Sequence, residues 1–472
     1  MNRLVIDLTH GGVKIAVSLA KKGKSVLAYD IYNTLGDIDR QMLEIYGVEL
    51  IDLKDLSEFK GDMEVIYPVH LPLTADEIAS NNPDLNYTFK THHEAVYDLL
   101  SDWGDDIPKI EITGVKGKTS SAFMLKEILI DENPLVLSSL GAILYENKKE
   151  IVLKRNISIT PANIKETVDL AYKVANPVCL IAEGKVKSEN LKKYSSAIFE
   201  SSLGASAIGD VGLLTNIVEN YPIAQNKSNA AEAKRQIFRC GIVVCDKKSL
   251  DEYYTDITHP KVNSFSLTDN TSNLYVENVK YSLDLTEIVM KYQNVKTKSG
   301  EISDGEISLK TFAPGPHHVS NVLGVVLTAL SLNVPHEKIV SGLANFKGIT
   351  GRTNKRSKGN STIIEEINPG INTEAIRQSI EMIKNTDDYY IAVGGDYGIT
   401  CEEIDEDKVS KYLDTINSQI ILTGDVGRSI ADKMTRNVEY IENYADVYDK
   451  AINDDKNLLF IYRSNYSKLS QR

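Results

Sequence analysis

IEITGVKGKTSSAFMLKEIL, residues 110–129, runs from an apolar strand through two glycines and a lysine into an amphipathic helix. In its centre, Gly114 and Gly117 let backbone N–H groups turn toward a bound anion. Lys118 brings a positive charge for outer phosphates, Thr119 offers a hydroxyl to Mg²⁺, and the helix presents its positive N-terminal end. Thr113, Val115, Lys116 and Ser120 complete the loop. An ordinary glycine turn between strand and helix has no use for a lysine and a threonine placed in this way. Only two residues separate the glycines, where the common nucleotide-binding form has four.

Working outward, about a hundred residues precede the loop. RLVIDLTHGG reads as a strand ending in a glycine turn, VKIAVSLAKKG as a helix closed by Gly23, and KSVLAYDI as the next strand. That is the opening of a doubly wound sheet. MEVIYPVHLPL adds a strand, THHEAVYDLLSDW a helix, and Pro108 marks a link. Beyond the loop, VCLIAE, SAIFES, VGLLTNI and GIVVCD are apolar strands; between Asn273 and Phe312 the pattern turns to antiparallel strands and hairpins, and HVSNVLGVVLTALSLN reads as a helix. From about Gly351, STIIEEI, YYIAVGG, QIILTGD and LLFIYR alternate with helical stretches such as NTEAIRQSIEMI. The expectation is an α/β chain of three domains: a Rossmann-like domain over 1–106, a central phosphate-loop domain with an antiparallel subsheet over 107–350, and a Rossmann-like domain over 351–472.

The totals agree. A chain of 472 residues exceeds the roughly 250 that one core supports, and 42% hydrophobic with 25% charged residues is ordinary for a soluble protein. A formal charge of −13 argues against nucleic acid or an anionic membrane as main partner, but leaves room for an anionic small molecule. No stretch is long and apolar enough for a membrane span, and Met1–Asn2–Arg3 leads directly into a strand. The four cysteines (Cys179, Cys240, Cys245, Cys401) form no CxxC pair, so free thiols and a cytoplasmic setting are expected. A monomer or weak homodimer is expected.

The short loop resembles that of Mur-type ligases and folylpolyglutamate synthases, and further motifs follow in the same order. IFESSLGASAIGDVGLLTNIVENY resembles that family's strand-end Glu and TN segment, NAAEAKRQIF its lysine stretch, APGPHHVSNVLG its PG-x-HN-x-x-N segment, and GITGR the arginine opening its last domain. The resemblance implies an ATP-dependent ligase that activates a carboxylate as an acyl phosphate, with one or two Mg²⁺ ions. It assigns Lys118 and Thr119 to ATP phosphates and Mg²⁺, Glu200 to magnesium, and Lys234 to the lysine that many members carbamylate into a metal ligand. It also assigns Asn321 to the adenine, Arg352 to the phosphates and Glu366 to the ribose. Glu183, in LIAEGK, competes with Glu200 for its role. Two positions depart from the family: its Asp-His after TN is here Asn220-Tyr221, and its HN pair is His317-His318.

The first domain separates the candidates. DLTHGG, PVHLPL and THHEAV, which hold His10, Gly11, Gly12, His70, His92 and His93, resemble the archaeal Mur-type ligases that complete the nickel tetrapyrrole coenzyme F(430). That resemblance implies ring closure on a seco-acid precursor by an internal C–C bond, without an external amino acid. It makes His10, Gly11, Gly12, His70 and His92 substrate contacts. The histidines' spacing fits no zinc pattern, and His92 and His93 point about 100° apart on a helix. Ordinary core histidines, contacts to substrate carboxylates and direct nickel ligation stay open. The alternatives are a pseudomurein peptide ligase adding an amino acid to a nucleotide-linked peptide, a non-catalytic nucleotide-binding protein, and a nicotinamide enzyme. The last is suggested by Asp30 but lacks GxGxxG.

Overall fold

A computed structural model describes residues 1–175, 194–302, 304–350, 352–383, 388–398 and 404–464. The strand read in VCLIAE, with Cys179 and Glu183, lies outside the described residues, as do Gly351 and Cys401. The described chain divides into two compact units. One holds Met1–Glu277, Met290–Ile307 and Ser320–Gly342; the other holds Asn278–Val289, Ser308–Val319 and Leu343–Arg472.

The first unit opens with five parallel strands, Asn2–Ile6, Val26–Tyr29, Glu49–Leu50, Asp62–Tyr67 and Asn86–Thr91, arranged 3-2-1-4-5 in chain order. This is the doubly wound order read from RLVIDLTHGG, with its crossover where the first strand ends. Helices enter through sequence-encoded caps: Thr91 accepts from the Glu94 N–H while the Glu94 carboxylate takes the Thr91 N–H, closing a capping box.

The phosphate-loop strand Lys109–Thr113 lies between Val211–Leu214 and Ser196–Glu200 in an eleven-stranded sheet. Its parallel core also holds Pro134–Ser138, Ile242–Asp246 and Val262–Ser266, and antiparallel strands Gly141–Glu146 and Lys149–Lys154 finish one edge. Strands Leu274–Lys280, Thr286–Tyr292 and Gly305–Thr311 extend the other edge, in the segment where hairpins are expected.

The Rossmann-like segment and the phosphate-loop segment do not have separate cores. Leu8, Val13, Ile15, Val96 and Leu99 share one buried cluster with Leu135, Leu137, Ala142, Ile164, Val168 and Phe199. Burial of apolar surface between these segments is what makes them a single unit. Within it, Glu111 is wholly buried and accepts the N–H groups of Ser206, Ile208 and Gly209, so its carboxylate ties down the loop after Glu200.

In the second unit a six-stranded sheet runs Thr353–Lys358, Ser361–Ile367, Asn457–Arg463, Tyr389–Gly395, Ile420–Thr423, Glu439–Ile441. Its first pair is antiparallel and the rest parallel. Ile364, Ile391, Val393, Leu422 and Leu459 bury one face, and Ile363, Ala392, Ile421, Leu458 and Phe460 the other. Such two-sided burial suits uninterrupted apolar strands. Among the described residues no helix is long and apolar enough to cross a membrane. Cys240 and Cys245 are free and buried.

Candidate active site

The strand Lys109–Thr113 is buried throughout and delivers the chain into the loop, from which the helix Lys118–Ile128 departs with Gly117 as its N-cap. Gly114 has φ 141° and Gly117 φ 84°. A Cβ on Gly114 would lie 2.0 Å from Thr215 Oγ1, and one on Gly117 2.0 Å from Asn321 Oδ1. Both positions therefore require glycine for backbone conformation and for space.

The loop is held from the side by two residues that sequence reading treated only as a marker. Val115 N–H donates to the Asn216 carbonyl (2.9 Å) and Lys116 N–H to Asn216 Oδ1 (3.0 Å). The Lys116 carbonyl accepts from Thr215 Oγ1 (2.6 Å) and Asn216 Nδ2 (3.1 Å). Thr215 and Asn216 are the TN dipeptide, and their work is to set the loop's shape. Lys118 Nζ donates to the Gly114 carbonyl at 3.0 Å, across the mouth of the loop.

Behind it lies a cluster of oxygens. Thr119 Oγ1 is 3.0 and 3.1 Å from the two Glu200 carboxylate oxygens and 3.1 Å from Ser139 Oγ, and Glu200 also accepts the Ser139 N–H (3.0 Å). Glu200 ends the strand Ser196–Glu200 and is 2% exposed. A buried carboxylate converging with two hydroxyls is a hard-oxygen set of the kind Mg²⁺ takes. With N–H groups and a lysine beside it, the site fits a magnesium-bound polyphosphate. Ser139 escaped the sequence reading; its only signal is that it follows the strand Pro134–Ser138.

Lys234, on the short helix Ala230–Lys234, is fully buried. Burial, and then the charge of Lys118, lowers its pKa to about 7. Its Nζ donates to the Tyr221 hydroxyl at 3.4 Å and stands 5.3 Å from the centre of the Tyr221 ring. Asn220 Oδ1 and the Tyr221 carbonyl accept the Ala231 and Ala230 N–H groups (both 2.9 Å). The departing pair Asn220-Tyr221 thus fastens the helix that carries Lys234.

Arg352 and Glu366 belong to the second unit. There His318 Nε2 meets Thr353 Oγ1 at 2.7 Å, and the His317 and His318 rings lie 3.8 Å apart. Burial pushes Glu366 up to about 7 against the pull of Thr353 and Arg352. His317 Nδ1, His318 Nδ1 and Glu366 Oε1 are buried without hydrogen-bond partners, polar atoms of the sort a ligand satisfies.

In the first sheet, Asp7 follows the first strand with φ 71° and is fully buried. Its Oδ1 accepts the Thr9 and His10 N–H groups (3.0 and 3.2 Å), and its Oδ2 meets His10 Nδ1 at 2.7 Å and lies 3.3 Å from His70 Nε2. The histidines hold the Asp7 carboxyl well below the usual carboxylate range in spite of burial. Gly11 and Gly12 serve chain packing: a Cβ on Gly11 would sit 2.6 Å from Ala162 Cβ, and one on Gly12 2.2 Å from the Asp7 carbonyl. His92, expected to contact substrate, is instead a core residue with Nε2 on the Ile6 carbonyl (3.0 Å); burial lowers its pKa to about 4. His93 is buried likewise. Sequence reading missed Asp7 because nothing local marks an aspartate at a strand end as buried.

Comparison with known proteins agrees with this geometry. Residues 112–329 match the Mur ligase middle domain, and residues 355–465 match the C-terminal domain of coenzyme F430 synthetase CfbE. The coenzyme F(430) synthetase of Methanocaldococcus jannaschii is 27% identical over 93% of this chain and 94% of its own length. That of Methanosarcina acetivorans is 26% identical over 95% and 94%. Among solved structures, a UDP-N-acetylmuramoylalanyl-D-glutamyl-2,6-diaminopimelate–D-alanyl-D-alanyl ligase from Acinetobacter baumannii superposes with TM-score 0.58 at 14% identity, covering 99% of this chain and 92% of that one. The UDP-N-acetylmuramate–alanine ligase of Thermotoga maritima gives 0.53 at 14% identity over 100% and 98%. These structural likenesses establish the three-domain Mur ligase fold.

Proposed function

We propose, for a chain that belongs to the Mur ligase superfamily and is an ATP-dependent ligase, that its acid substrate is a nickel tetrapyrrole seco-acid whose carbocyclic ring it closes, as a coenzyme F(430) synthetase. The observation that carries this reading is similarity over nearly the full length, C-terminal domain included, to proteins of that name. Domain limits at 1–106, 107–350 and 351–472, a cytoplasmic setting and a monomeric or weakly dimeric state are part of the proposal.

In this reading the residues divide the work. The loop Thr113–Ser120, with the backbone N–H groups at its Gly117 end and the Lys118 ammonium, neutralises the phosphates of ATP so that a carboxylate can approach the γ-phosphorus. Bound Mg²⁺ supplies charge neutralisation at the phosphate oxygens. Thr119 and Glu200 would hold it. Asn321 would hold the adenine, Arg352 the phosphates and Glu366 the ribose. Lys234 has the character carbamylation needs, since an amine with pKa about 7 is about half uncharged at neutrality and an uncharged amine is what attacks CO₂. His10 and His70 stay as substrate contacts; Gly11, Gly12 and His92 shape the floor beneath them.

The test is phosphate release from ATP and Mg²⁺ under anaerobic conditions. One arm contains the nickel seco-acid alone, the other nucleotide-linked peptides with free amino acids. Release with the nickel compound alone, with a changed visible spectrum, is the expected outcome. Release only with peptide and amino acid would move the chain to cell-wall synthesis and refute the proposal.

A further inference from the structure

We propose that His10 is the general base of the carbon–carbon bond-forming step and that Asp7 is its positioning residue. The inference rests on the ring-closing reading and supplies a step that reading leaves without a residue. An amine, once unprotonated, attacks an acyl phosphate through its nitrogen lone pair. A carbon attacks only as its C–H bond breaks. That electron pair becomes the new C–C bond to the acyl carbon, the acyl C–O bond to phosphate breaks, and inorganic phosphate leaves with its electrons. The proton must pass to a base.

The structure assigns that base by geometry. His10 Nδ1 faces Asp7 Oδ2 at 2.7 Å, and an ionised carboxylate only accepts, so Nδ1 carries the hydrogen and Nε2 the lone pair. Asp7 is 0% exposed at its side chain and His10 45%, so the ring keeps an exposed part beyond its buried partner, and Nε2 is the nitrogen that Asp7 leaves for a substrate. Two backbone N–H groups and a left-handed φ fix Asp7 under the ring. His70 and Tyr32 stand edge-on to His10, with ring centres 4.7 and 5.7 Å away.

The position is also right. Gly11, next to His10, packs on Ala162 and Thr160. The same short stretch is tied to the magnesium-side strand end, because Ser202 N–H, two residues past Glu200, donates to the Ile159 carbonyl at 3.1 Å. Residues 159–162 therefore adjoin both the loop carrying His10 and the strand end carrying Glu200.

Four titratable groups surround this histidine: Asp7 beneath it, His70 and Tyr32 at its edges, and His92 within the field of the same cluster. Asp7 dominates and raises His10 above the ordinary imidazole value. The uncharged base is then lost as pH falls through that raised value, and closure slows with it.

The experiment uses the full chain with the nickel seco-acid, ATP and Mg²⁺, and reads two quantities. Hydroxylamine traps the acyl phosphate as a hydroxamate, and the visible spectrum reports closure. In His10→Gln and His10→Ala the ratio of closure to trapped hydroxamate is expected to fall about 100-fold or more, within the range general bases contribute. Asp7→Asn should lower the same ratio and move the acid limb of closure to lower pH, a shift that a merely structural role would not produce. A native ratio in both His10 variants would overturn the proposal. So would an equal loss of hydroxamate and closure in His10→Gln, which would make His10 a holder of substrate. Absence of both hydroxamate and closure from the native chain with the seco-acid would instead sink the ring-closing reading, and the base with it.

Discussion

Replacing Gly117 with alanine tests the phosphate loop at its tightest point. The residue has φ 84°, and an alanine in left-handed conformation costs about 1–2 kcal/mol. Its Cβ would lie 2.0 Å from Asn321 Oδ1, 2.7 Å from Cγ and 2.9 Å from Nδ2. The whole carboxamide would have to move, an overpacking cost of about 1–3 kcal/mol. The single variant should therefore lose about 2–5 kcal/mol, the sum of those two costs. In an Asn321→Ala background the overlap disappears and only the backbone cost remains, so the double-mutant cycle should show a coupling of about 1–3 kcal/mol. Trp103 is the chain's one tryptophan. It donates to the Tyr194 hydroxyl at 3.0 Å and packs near Phe199, so its fluorescence follows unfolding of the first compact unit in urea. The Michaelis constant for ATP should rise in parallel. Effects that add within about 0.5 kcal/mol would show that Gly117 and Asn321 do not share this space, and the account of the loop would fail.

Two further outcomes follow from the loop and the lysine beside it. Lys118→Ala should abolish phosphate release while leaving the Trp103-monitored transition in place; surviving turnover would refute the loop assignment. Lys234 has a folded pKa of about 7, below the roughly 10.4 of an unfolded lysine, so between these values the unfolded chain binds more protons and stability must rise with pH. From pH 7 to 9 urea melts should show a rise of up to about 1.4 kcal/mol per pH unit, absent in Lys234→Met; an unchanged slope in that variant would assign the rise elsewhere.

The parts of the fold visible in the sequence are those where one local rule dominates. The run IEIT followed by GVKGKTS points to strand, loop and helix because two glycines, a lysine and a hydroxyl at that spacing suit a phosphate loop, and the strand and the helix stand where that reading puts them. The four apolar strands of the last segment were equally plain, since both of their faces are buried. What stayed hidden depends on residues far apart in the chain. Asn321 reaches Gly117 across about two hundred positions, and Glu111 holds the amides of 206–209; neither has a periodic signature. The helix TH-H gave two adjacent histidines but not their burial, because a capping box at Thr91 sets the helix phase and the packing of Val96 and Leu99 pulls both rings inward. Shared apolar packing between Leu8 or Val96 and Leu137 or Phe199 likewise merges segments that length and composition divide.

The pair Asn220-Tyr221 shows how the same framework accommodates a changed site. A histidine after the TN segment offers a metal an imidazole; a tyrosine in its place offers a neutral phenol and a ring face. Here the ring lies 5.3 Å from the Lys234 amine, and the backbone carbonyl and Asn220 side chain do the structural work of starting the helix. Burial, with Lys118 as its charged neighbour, shifts Lys234 toward the uncharged amine. The oxygen cluster of Thr119, Ser139 and Glu200 needs nothing from Tyr221 to stay assembled. The loss of the imidazole therefore leaves that oxygen cluster in place. The first sheet supplies its own imidazole at His10, fixed by a buried aspartate at the end of the first strand, and a carbon acid needs such a base to give up its C–H proton.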